Sequence, residues 1–583
     1  MGKIGKNLLL LMTLSLCIIV SSSIHADNPV FSQRFTADPS GLEYNGRLYL
    51  YCSHDLDEQT DYSMVDFTCI STDDMVNWTD HGEVFKVPNN AVWAGRAYAP
   101  QVVCKDDTFY LYFGNGGDSI GVAKSSSPTG PFNDARGSAL ITKSMPNCDV
   151  QWCFDPSVFV DSDGQAYLYF GGGGPGNARV IQLGSDMIST VGSAITIDAP
   201  RFFEAAWMHK YNDKYYFSYS SDFSVGAATI EYMMSDSPTA DFTAMGTVLP
   251  NPPNNSGNNN HHSIFSFQGD WYIAYHNRKV AIDRGADPVY QRSVCIDRLN
   301  YNSDGTIQQV AITTDGPPQL KNVDPYVQNE AETLNYEHLI ETEDCSEGGR
   351  DVTAIANGDY IRVKSVDFGA GAGSFAARVA SDTAGGNIEI RLDSVDGTLG
   401  GVCPVVGTGD SQTWETRICT ISGASGVHDL YFKFTGGSGN LFNFNWWRFY
   451  TVDNPAPSPT PTQSPVATPT PSVAPDNDRS VSYTIEDWGG GGATVSITIK
   501  NNGAIGLYGW ELGFSFPGNQ TITNLWNGEY TQGGNRVTVS NTTWNATIPA
   551  GGTVNFGFNL SYSGTNAQPT EFTFNGAVCQ VEI

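Results

Sequence analysis

The chain has 583 residues, a length that predicts several domains rather than one hydrophobic core. Its 61 acidic and 31 basic residues give a formal charge of −30, which argues against nucleic acid or an anionic membrane as partner and suits a secreted protein acting on a neutral polymer. Abundant strand formers and turn residues, among them 27 Tyr, 30 Phe and 62 Gly, predict an all-β fold.

Residues 1–26 have the pattern of a secretory signal peptide. Lys3 and Lys6 precede an apolar run, and Ile24, His25 and Ala26 offer a cleavage site. The apolar run is short for a membrane-spanning helix. We therefore expect a secreted, extracellular protein.

Ten of the 11 cysteines follow this segment. In an oxidising compartment some of them should pair. The sequence neighbours are Cys52 with Cys69, Cys148 with Cys153, and Cys403 with Cys419. Spacing alone leaves the connectivity open.

One pattern occurs five times between residues 27 and 322: a marked residue, a short apolar run, a turn with Asn, Asp or Gly, and an aromatic strand. The copies begin at Asp38, Ala99, Asp155, Glu204 and His261, and each marked residue precedes the final Tyr of its copy by 13 to 15 positions. Successive copies start 61, 56, 49 and 57 residues apart. Such a period, built from short strands and tight turns, predicts a five-bladed β-propeller.

The marked residues are candidate catalytic groups. If each heads the innermost strand of its blade, Asp38, Asp155, Glu204 and His261 converge at one mouth of the central channel, while Ala99 offers space. Buried unpaired charge is costly, and like charges held together separate their pKa values. Taken singly, Asp-Pro and Asn-Gly pairs form turns, but the shared register favours catalysis. Two-carboxylate hydrolysis of a glycosidic bond is the leading chemistry.

Residues 27 to 315 resemble glycoside hydrolase family 43, whose members are five-bladed propellers acting on arabinose- and xylose-containing polymers. Within that family the chain is most similar to arabinoxylan arabinofuranohydrolases, through NARVIQLGSDM (177–187) and the Asn-rich approach to His261. The other motifs that carry the resemblance are ADPS at Asp38, WAGRAYAPQ (93–101), FDPSVFVDSDGQAYLYFGGG (154–173), FFEAAW (202–207) and NNHHS (259–263).

The resemblance implies a role for each site residue. Asp38 matches the general base, Glu204 the general acid, and Asp155 the carboxylate that orients the acid and tunes its pKa. Arg292, in QRSVCIDRL, matches a substrate-contacting arginine. In an inverting enzyme the two working carboxylates stand roughly 6.5–9.5 Å apart, with a water between base and sugar. His261 matches a histidine that contacts a cation, usually calcium, in the channel; a hydrogen-bonded core histidine is the alternative.

Residues 323–452 predict a β-sandwich that resembles carbohydrate-binding module family 6. The resemblance implies a structural calcium ion held by Glu330, Glu332 and Asn445. Oxygen ligands of this kind are those that calcium prefers.

The same resemblance implies a sugar-binding cleft with Tyr360 and Asn443. This sequence departs from the family pattern at TGDSQTWET, where the stacking Trp of the cleft falls at Ser411 and Trp414 is a packing residue. One face of the sugar platform is then missing. A spacer sandwich without a working site therefore stays an alternative.

Residues 453–478 are rich in Pro, Ser and Thr and predict an extended linker. Residues 479–583 predict a last sandwich, which resembles carbohydrate-binding module family 2. The resemblance implies a flat cellulose-binding face made by three tryptophans, Trp488, Trp526 and Trp544, whereas Trp510 suits the core.

The sequence thus predicts an all-β chain: a five-bladed β-propeller followed by two β-sandwich modules of jelly-roll or immunoglobulin-like type. We expect a monomeric, secreted, inverting hydrolase that releases α-L-arabinofuranose from arabinoxylan and also binds cellulose. A β-xylosidase acting on xylan is the alternative in chemistry. A non-catalytic polysaccharide-binding protein is the alternative in class, but such a protein has no use for three converging acids.

Overall fold

The computed structural model describes residues 27–453 except 58, 256–258 and 286–288, and residues 476–582 except 504–506, 543–544, 571 and 575–576. The predicted signal peptide, nearly all of the predicted linker and Trp544 lie outside the described residues. The chain forms two compact units that divide after Thr460. In the described ranges, no helix has the length and apolar character needed to cross a membrane.

Five antiparallel sheets follow one another along the first unit, one for each sequence repeat. The first two contain β1 (Phe35–Tyr44), β2 (Arg47–Asp55), β3 (Asp66–Thr72) and β4 (Trp78–Lys86), then β5 (Tyr98–Lys105), β6 (Thr108–Asn115), β7 (Ser119–Ser125), β8 (Asn133–Asp134) and β9 (Ile141–Thr142). The third and fourth contain β10 (Ser157–Val160), β11 (Ala166–Phe170), β12 (Arg179–Leu183) and β13 (Thr190–Thr196), then β14 (Phe202–Tyr211), β15 (Lys214–Ser221), β16 (Ile230–Ser235) and β17 (Thr243–Leu249). The fifth contains β18 (His262–Phe267), β19 (Asp270–Asn277) and β20 (Ser293–Leu299), with helix α1 (Lys279–Asp283) between the last two. This is the predicted five-bladed propeller.

Tight turns explain the inner hairpins of the blades. Two successive residues with positive φ join the first and second strands in four blades, at Asn45–Gly46, Asp106–Asp107, Asn212–Asp213 and Gln268–Gly269. Positive φ at both central positions defines a type I′ turn, which matches the twist of a two-stranded hairpin. The middle strands are buried on both faces between neighbouring blades, and all seven residues of β3 are buried.

The beginning of the described chain closes the propeller. The backbone N–H groups of Val30 and Thr36 donate to the carbonyls of Val294 and Arg292 at 2.9 and 2.8 Å. The side-chain amide of Asn28 also donates to the carbonyl of Ile296 at 2.9 Å. The N-terminal segment therefore lies along β20 and covers the outer edge of the fifth blade, which holds Arg292 in a fixed position.

The second module is a sandwich of two sheets. Its strands are β21 (Asn329–Glu330), β22 (Thr333–Leu334), β23 (Tyr336–His338), β24 (Glu341–Asp344), β25 (Arg350–Thr353), β26 (Tyr360–Asp367), β27 (Ala372–Ala380), β28 (Gly386–Leu392), β29 (Thr398–Val405), β30 (Glu415–Thr420), β31 (Val427–Gly436) and β32 (Asn443–Thr451). One sheet has the order β24-β25-β32-β27-β30, with β21 beside β32, and the other has the order β23-β26-β31-β28-β29. Between them lies an apolar core that includes Phe375, Phe432 and Trp447.

The propeller and this sandwich are joined by backbone and side-chain contacts. Strand β22 pairs with β4 of the first blade, so the sandwich extends that blade's sheet. Asp80 on β4 is fully buried and accepts hydrogen bonds from Arg34 of the propeller at 2.5 Å and from Thr342 of the sandwich at 2.6 Å. A buried carboxylate shared by both parts fixes their relative placement.

The second unit is a further sandwich. Its strands are β33 (Asp476–Gly489), β34 (Gly492–Asn501), β35 (Leu507–Tyr508), β36 (Glu511–Ser515), β37 (Thr521–Trp526), β38 (Glu529–Gly533), β39 (Arg536–Ser540), β40 (Thr547–Ile548), β41 (Thr553–Ser561), β42 (Phe572–Phe574) and β43 (Ala577–Glu582). Ala493, Val495, Ile497 and Ile499 of β34 all point into the core, as the two-residue period of a half-buried strand requires. This unit is the second predicted sandwich.

The three candidate cysteine pairs differ in how the structure places their side chains. Tyr51 pairs with Cys69 and Cys52 with Thr68, so Cys52 and Cys69 point to opposite faces of their sheet. Cys148 and Cys153 share one apolar cluster. Cys403 on β29 and Cys419 on β30 lie close enough for each thiol to shift the pKa of the other.

Candidate active site

A cavity of about 90 Å³ brings the predicted catalytic side chains together at one mouth of the propeller. Asp38 comes from β1, Asp155 precedes β10, Glu204 lies on β14 and His261 precedes β18. Arg292, which precedes β20, completes the set of charged groups. The remaining residues that line the cavity are Tyr62, Met64, Tyr98, Phe154 and Asn259.

The backbone torsion angles show which residues are equivalent in the blades. They shift the equivalent position of the fourth repeat by one residue. Asp38, Ala99 and Asp155 have φ of 48°, 46° and 51°, at the equivalent point in each repeat. In the fourth repeat the positive φ, 58°, falls on Ala205, so Ala205 is the equivalent residue and Glu204 stands one position earlier. The sequence carried a signal of this offset, because Glu204 precedes its final Tyr by 15 positions, the longest such interval.

Asp38 is held as a carboxylate. Its side chain is only 4% exposed, and Nη1 of Arg292 donates to its Oδ1 at 2.6 Å. Burial raises the pKa of Asp38, but nearby positive charge, above all that of Arg292, outweighs burial and brings the pKa to about 2. A group that stays ionised can accept a proton from water, as a general base must.

The pKa values of Glu204 and Asp155 are raised, whereas that of Asp38 is lowered. Burial, followed by the negative charge of Asp38, raises the pKa of Glu204 to about 7. Burial and the charges of Glu204 and Asp38 raise the pKa of Asp155 well above its ordinary value. The two groups compete for protons, so their ionisations are linked. Oδ2 of Asp155 accepts the backbone N–H of Ala205 at 2.9 Å, which ties this carboxylate to the residue after Glu204.

His261 lies against the carboxylates. Its Nδ1 is 3.5 Å from Oδ1 of Asp38 and 3.9 Å from Oδ2 of Asp155. Burial lowers the pKa of His261 to about 4, so the ring is neutral at neutral pH. The structure thus places Nδ1 of His261 beside two carboxylates, and the predicted calcium contact of this histidine stays a prediction.

Three site residues were absent from the sequence prediction. Asp55, at the end of β2, accepts hydrogen bonds from Nε and Nη2 of Arg292, both at 2.8 Å. Asn259 donates from Nδ2 to Oε1 of Glu204 at 3.2 Å. His276 on β19 accepts the backbone N–H of Asp38 through Nδ1 at 3.3 Å. All three lie outside the marked positions; only Asn259 fell within a quoted motif, NNHHS.

An aromatic cleft of about 330 Å³ adjoins the carboxylate cavity. The two share Tyr62, Tyr98, Phe154, Glu204 and Asn259. The cleft adds the rings of Trp152, Phe203 and Phe223 and the backbone of Gly117. Aromatic rings present flat apolar faces of the kind that stack on sugar rings. The acid carboxyl thus stands at the boundary between a small polar cavity and a wider apolar cleft.

Oxygen atoms in the second module suit calcium. Glu332 is buried, its Oε2 has no hydrogen-bond partner within the described residues, and burial raises its pKa well above the ordinary value. Asn445 is also buried, and with Glu330 and Glu332 it lines a cavity of about 520 Å³. A divalent cation would neutralise this buried carboxylate. No group of three or more His, Cys, Asp or Glu side chains in the described ranges forms a preassembled metal site.

The two predicted sugar-cleft residues of this module lie in different groups of contacts. Asn443, at the start of β32, donates from Nδ2 to Glu343 at 2.7 Å and to Asp351 at 3.0 Å. Tyr360, on β26 of the other sheet, lies among the rings of Tyr336, His338 and Tyr431.

The segment around Ser411, where the stacking Trp of the family pattern is missing, is close to Asn443. Gln412 donates to Glu343 and Asp351, the two carboxylates that Asn443 also contacts. Its neighbour Ser411 is half-buried. Trp414 is buried and donates to Oγ of Ser346 at 3.0 Å, which is a packing role.

In the second unit, Trp488 and Trp526 are 58% and 38% exposed, whereas Trp510 is 2% exposed. Trp510 stacks on Phe556 and donates from Nε1 to the carbonyl of Asn545. Glycines lie directly beneath the two exposed indoles. A Cβ atom at Gly492 would stand 2.8 Å from the ring of Trp488, and one at Gly557 would stand 2.5 Å from that of Trp526.

Comparison with known proteins supplies the family. The sequence matches "Glycosyl hydrolases family 43" over residues 26–307, "Carbohydrate binding module (family 6)" over 330–451 and "Cellulose binding domain" over 479–579. It is 44% identical over 481 residues to an arabinoxylan arabinofuranohydrolase of Bacillus subtilis (strain 168), covering 74% of this chain and 93% of that protein. An arabinoxylan arabinofuranohydrolase of Paenibacillus polymyxa is 43% identical over 471 residues, covering 72% and 74%.

A solved structure agrees. The crystal structure of a glycoside hydrolase family 43 arabinoxylan arabinofuranohydrolase from Bacillus subtilis, in complex with cellotetraose, has a TM-score of 0.69 and 43% identity, covering 74% of this chain and 99% of that one. The propeller, its three carboxylates around one cavity and these relatives together identify an enzyme that hydrolyses glycosidic bonds. This chain belongs to glycosyl hydrolases family 43.

Proposed function

We propose that this enzyme is an inverting hydrolase that removes α-L-arabinofuranosyl side chains from arabinoxylan. The observation that carries the proposal is the pairing of an ionised Asp38 with a proton-holding Glu204 in one small cavity. The relatives that cover most of the chain are named arabinoxylan arabinofuranohydrolases, which supports the choice of substrate.

The three carboxylates have different tasks in this proposal. Asp38 takes a proton from water, and that water attacks the anomeric carbon. Glu204 gives its proton to the leaving oxygen of the polymer. Asp155 holds the backbone of Ala205 and so orients Glu204, and ionisation of either group raises the pKa of the other. Arg292 contacts Asp38 and lines the cavity, where it can also reach the sugar.

The adjoining aromatic cleft supports side-chain removal from an intact polymer. The carboxylate cavity, of about 90 Å³, is the smaller of the two, whereas Trp152, Phe203 and Phe223 line a wider cleft beside the acid. In this arrangement the arabinosyl group enters the cavity while the xylan backbone lies in the cleft. Gly172 leaves space for the ring of Phe154, which lines both the cavity and the cleft, because a Cβ atom at position 172 would stand 2.1 Å from that ring.

The other modules hold the enzyme on plant cell walls in this proposal. The proposed segments are a signal peptide (1–26), a catalytic propeller (27–322), a family 6-like module (323–452), a linker (453–478) and a cellulose-binding module (479–583). The exposed Trp488 and Trp526 support cellulose binding by the last module. Linked sites that grip one insoluble substrate raise the local concentration of the catalytic domain. We also propose secretion and a monomeric state.

For calcium, the proposal is confined to the family 6-like module. Glu330, Glu332 and Asn445 would hold the ion, which would neutralise the buried carboxylate of Glu332 and connect β21 to β32. Its role there is structural.

Product analysis tests the proposed function. The full chain is incubated with arabinoxylan, and the released sugars are separated by chromatography. We expect arabinose and an intact xylan backbone, with much slower release by Asp38→Asn and Glu204→Gln. Release of xylose instead would identify a β-xylosidase, and release of no sugar from arabinoxylan or xylan would contradict an enzymatic role on these polymers.

A further inference from the structure

A chain of hydrogen bonds connects Asp38 to Glu204 behind the cavity. The backbone N–H of Asp38 lies 3.3 Å from Nδ1 of His276. A backbone N–H can only donate, so Nδ1 accepts and the ring proton of the neutral imidazole is on Nε2. Nε2 lies 3.0 Å from Oδ1 of Asn259 and 3.2 Å from its backbone oxygen, and it donates to these acceptors. Burial lowers the pKa of His276 well below its ordinary value, so the imidazole stays neutral.

The protonation of His276 fixes the orientation of the Asn259 amide. Because Oδ1 accepts from His276, Nδ2 faces the acid and donates to Oε1 of Glu204 at 3.2 Å. A carboxyl oxygen that accepts an N–H bond cannot also carry the acid proton along that direction. No donor in the described part of the chain reaches Oε2 of Glu204.

We propose that Asn259, oriented by His276, is a positioning residue that keeps the transferable proton of Glu204 on Oε2. This inference rests on the proposed role of Glu204 as the general acid. Proton transfer requires the O–H to point at the leaving oxygen, and a proton on Oε1 would point at the Asn259 amide instead. After transfer, the same N–H bond stabilises the carboxylate that remains.

Neighbouring asparagines give the loop its anchors. Asn255 donates from Nδ2 to Oδ1 of Asn251 at 2.7 Å and to the backbone oxygen of Asn259 at 2.8 Å. Asn260 donates from its side chain to the carbonyl of Ala228 at 3.0 Å. The side chain of Asn259 is therefore directed to the site, whereas Asn255 bonds within the loop and Asn260 attaches the loop to the fourth blade. Asn260→Ala is the matched control for loop disturbance.

The test compares Asn259→Ala, the isosteric Asn259→Asp and Asn260→Ala with the unaltered chain. The charged and titratable groups that face Glu204 are Asp38, Asp155, Arg292 and Tyr62, and all three variants retain them. Each variant is assayed on arabinoxylan and on an aryl arabinofuranoside, whose leaving group needs little protonation. Thermal melts report folding.

We expect Asn259→Ala to lower kcat on arabinoxylan about tenfold or more, with a much smaller loss on the aryl substrate and little change in KM. Removing a donor that favours the carboxylate raises the pKa of Glu204, so the alkaline limb of the pH profile moves up by about one unit. Asn259→Asp should move the limb further, because it adds a negative charge. Asn260→Ala should leave both the limb and the ratio of the two activities unchanged.

Equal losses on both substrates with an unmoved alkaline limb, in the folded Asn259→Asp variant, would overturn the positioning role. A shift of the same size in Asn260→Ala would also overturn it, because the effect would then come from the loop. Failure of the proposed function looks different. In that case the unaltered chain releases no arabinose from the polymer, or Glu204→Gln retains full activity.

Discussion

Nη1 of Arg292 donates to Oδ1 of Asp38 at 2.6 Å inside a cavity where both side chains are almost fully buried. Nε and Nη2 of the same guanidinium donate to the two oxygens of Asp55. The pair of hydrogen bonds to Asp55 fixes the plane of the guanidinium, and that plane aims Nη1 at Asp38. The proposed base is thus held by an arginine that a second carboxylate orients.

Replacement of this arginine tests the arrangement. Arg292→Lys retains a positive charge but loses the planar fork that joins Asp55 to Asp38. The pKa of Asp38 should then rise from about 2. The acidic limb of the pH profile should therefore move to a higher pH than in the unaltered enzyme. The control is Arg298→Lys, whose partner Asp270 is at the surface. An unchanged acidic limb in Arg292→Lys would remove Arg292 from this role.

The pH profile of the unaltered enzyme should follow from two groups. Asp38 must be ionised, and its pKa of about 2 allows activity well into the acidic range. The proton donor must be protonated, so kcat/KM should fall as pH rises through about 7, the pKa of Glu204. Because Asp155 and Glu204 ionise together, the alkaline limb belongs to the pair. The measurement is kcat/KM between pH 3 and 9, and full activity at pH 9 would contradict this assignment.

Glu204→Gln should lower the rate on arabinoxylan by at least roughly a hundredfold, since the amide cannot protonate the leaving oxygen. An aryl arabinofuranoside needs less protonation and should lose less activity. Glu231→Gln, on β16 of the same blade, is the control and should retain activity on both substrates. Equal losses on both substrates by Glu204→Gln would take the acid role away from this residue.

The anomeric configuration of the released sugar distinguishes a base from a nucleophile at Asp38. We expect inversion, because water attacks the anomeric carbon from the side opposite the leaving group. Proton NMR, recorded during the first minutes of the reaction and before mutarotation, reports the anomer formed. Retention would mean that a carboxylate forms a covalent intermediate, and the base assignment would be wrong.

The repeats made most of the propeller predictable, because turn residues and aromatic strands recur at fixed spacing. They also indicated that Asp38, Asp155, Glu204 and His261 meet, since equivalent positions of a cyclic fold converge on its axis. The one-residue offset at Glu204 was missed because the position of a bulge depends on backbone torsion more than on residue type.

Other parts of the site leave no periodic signal. Asp55 contacts Arg292 across 237 positions of sequence, and His276 contacts Asp38 across 238. Such pairs arise only when the ring of blades closes.

The cellulose-binding unit offers a test that separates binding from folding. Trp488→Ala or Trp526→Ala should reduce adsorption of residues 461–583 to crystalline cellulose, because ring stacking is worth roughly 0.5–1.5 kcal/mol beyond area burial. Gly557→Ala should have a similar effect with both indoles present, because its Cβ would displace the Trp526 ring. The two tryptophan variants should retain the melting temperature of the unaltered unit, and added salt should not weaken binding, since stacking involves no charge.

Trp510→Ala is the contrasting variant. The indole is buried on Phe556, so its loss should leave a cavity and destabilise the fold by about 3–5 kcal/mol. A cellulose pull-down beside a thermal melt for each variant gives both readouts. If Trp526→Ala melts early while Trp510→Ala loses only binding, the exposed and buried faces of this unit are reversed.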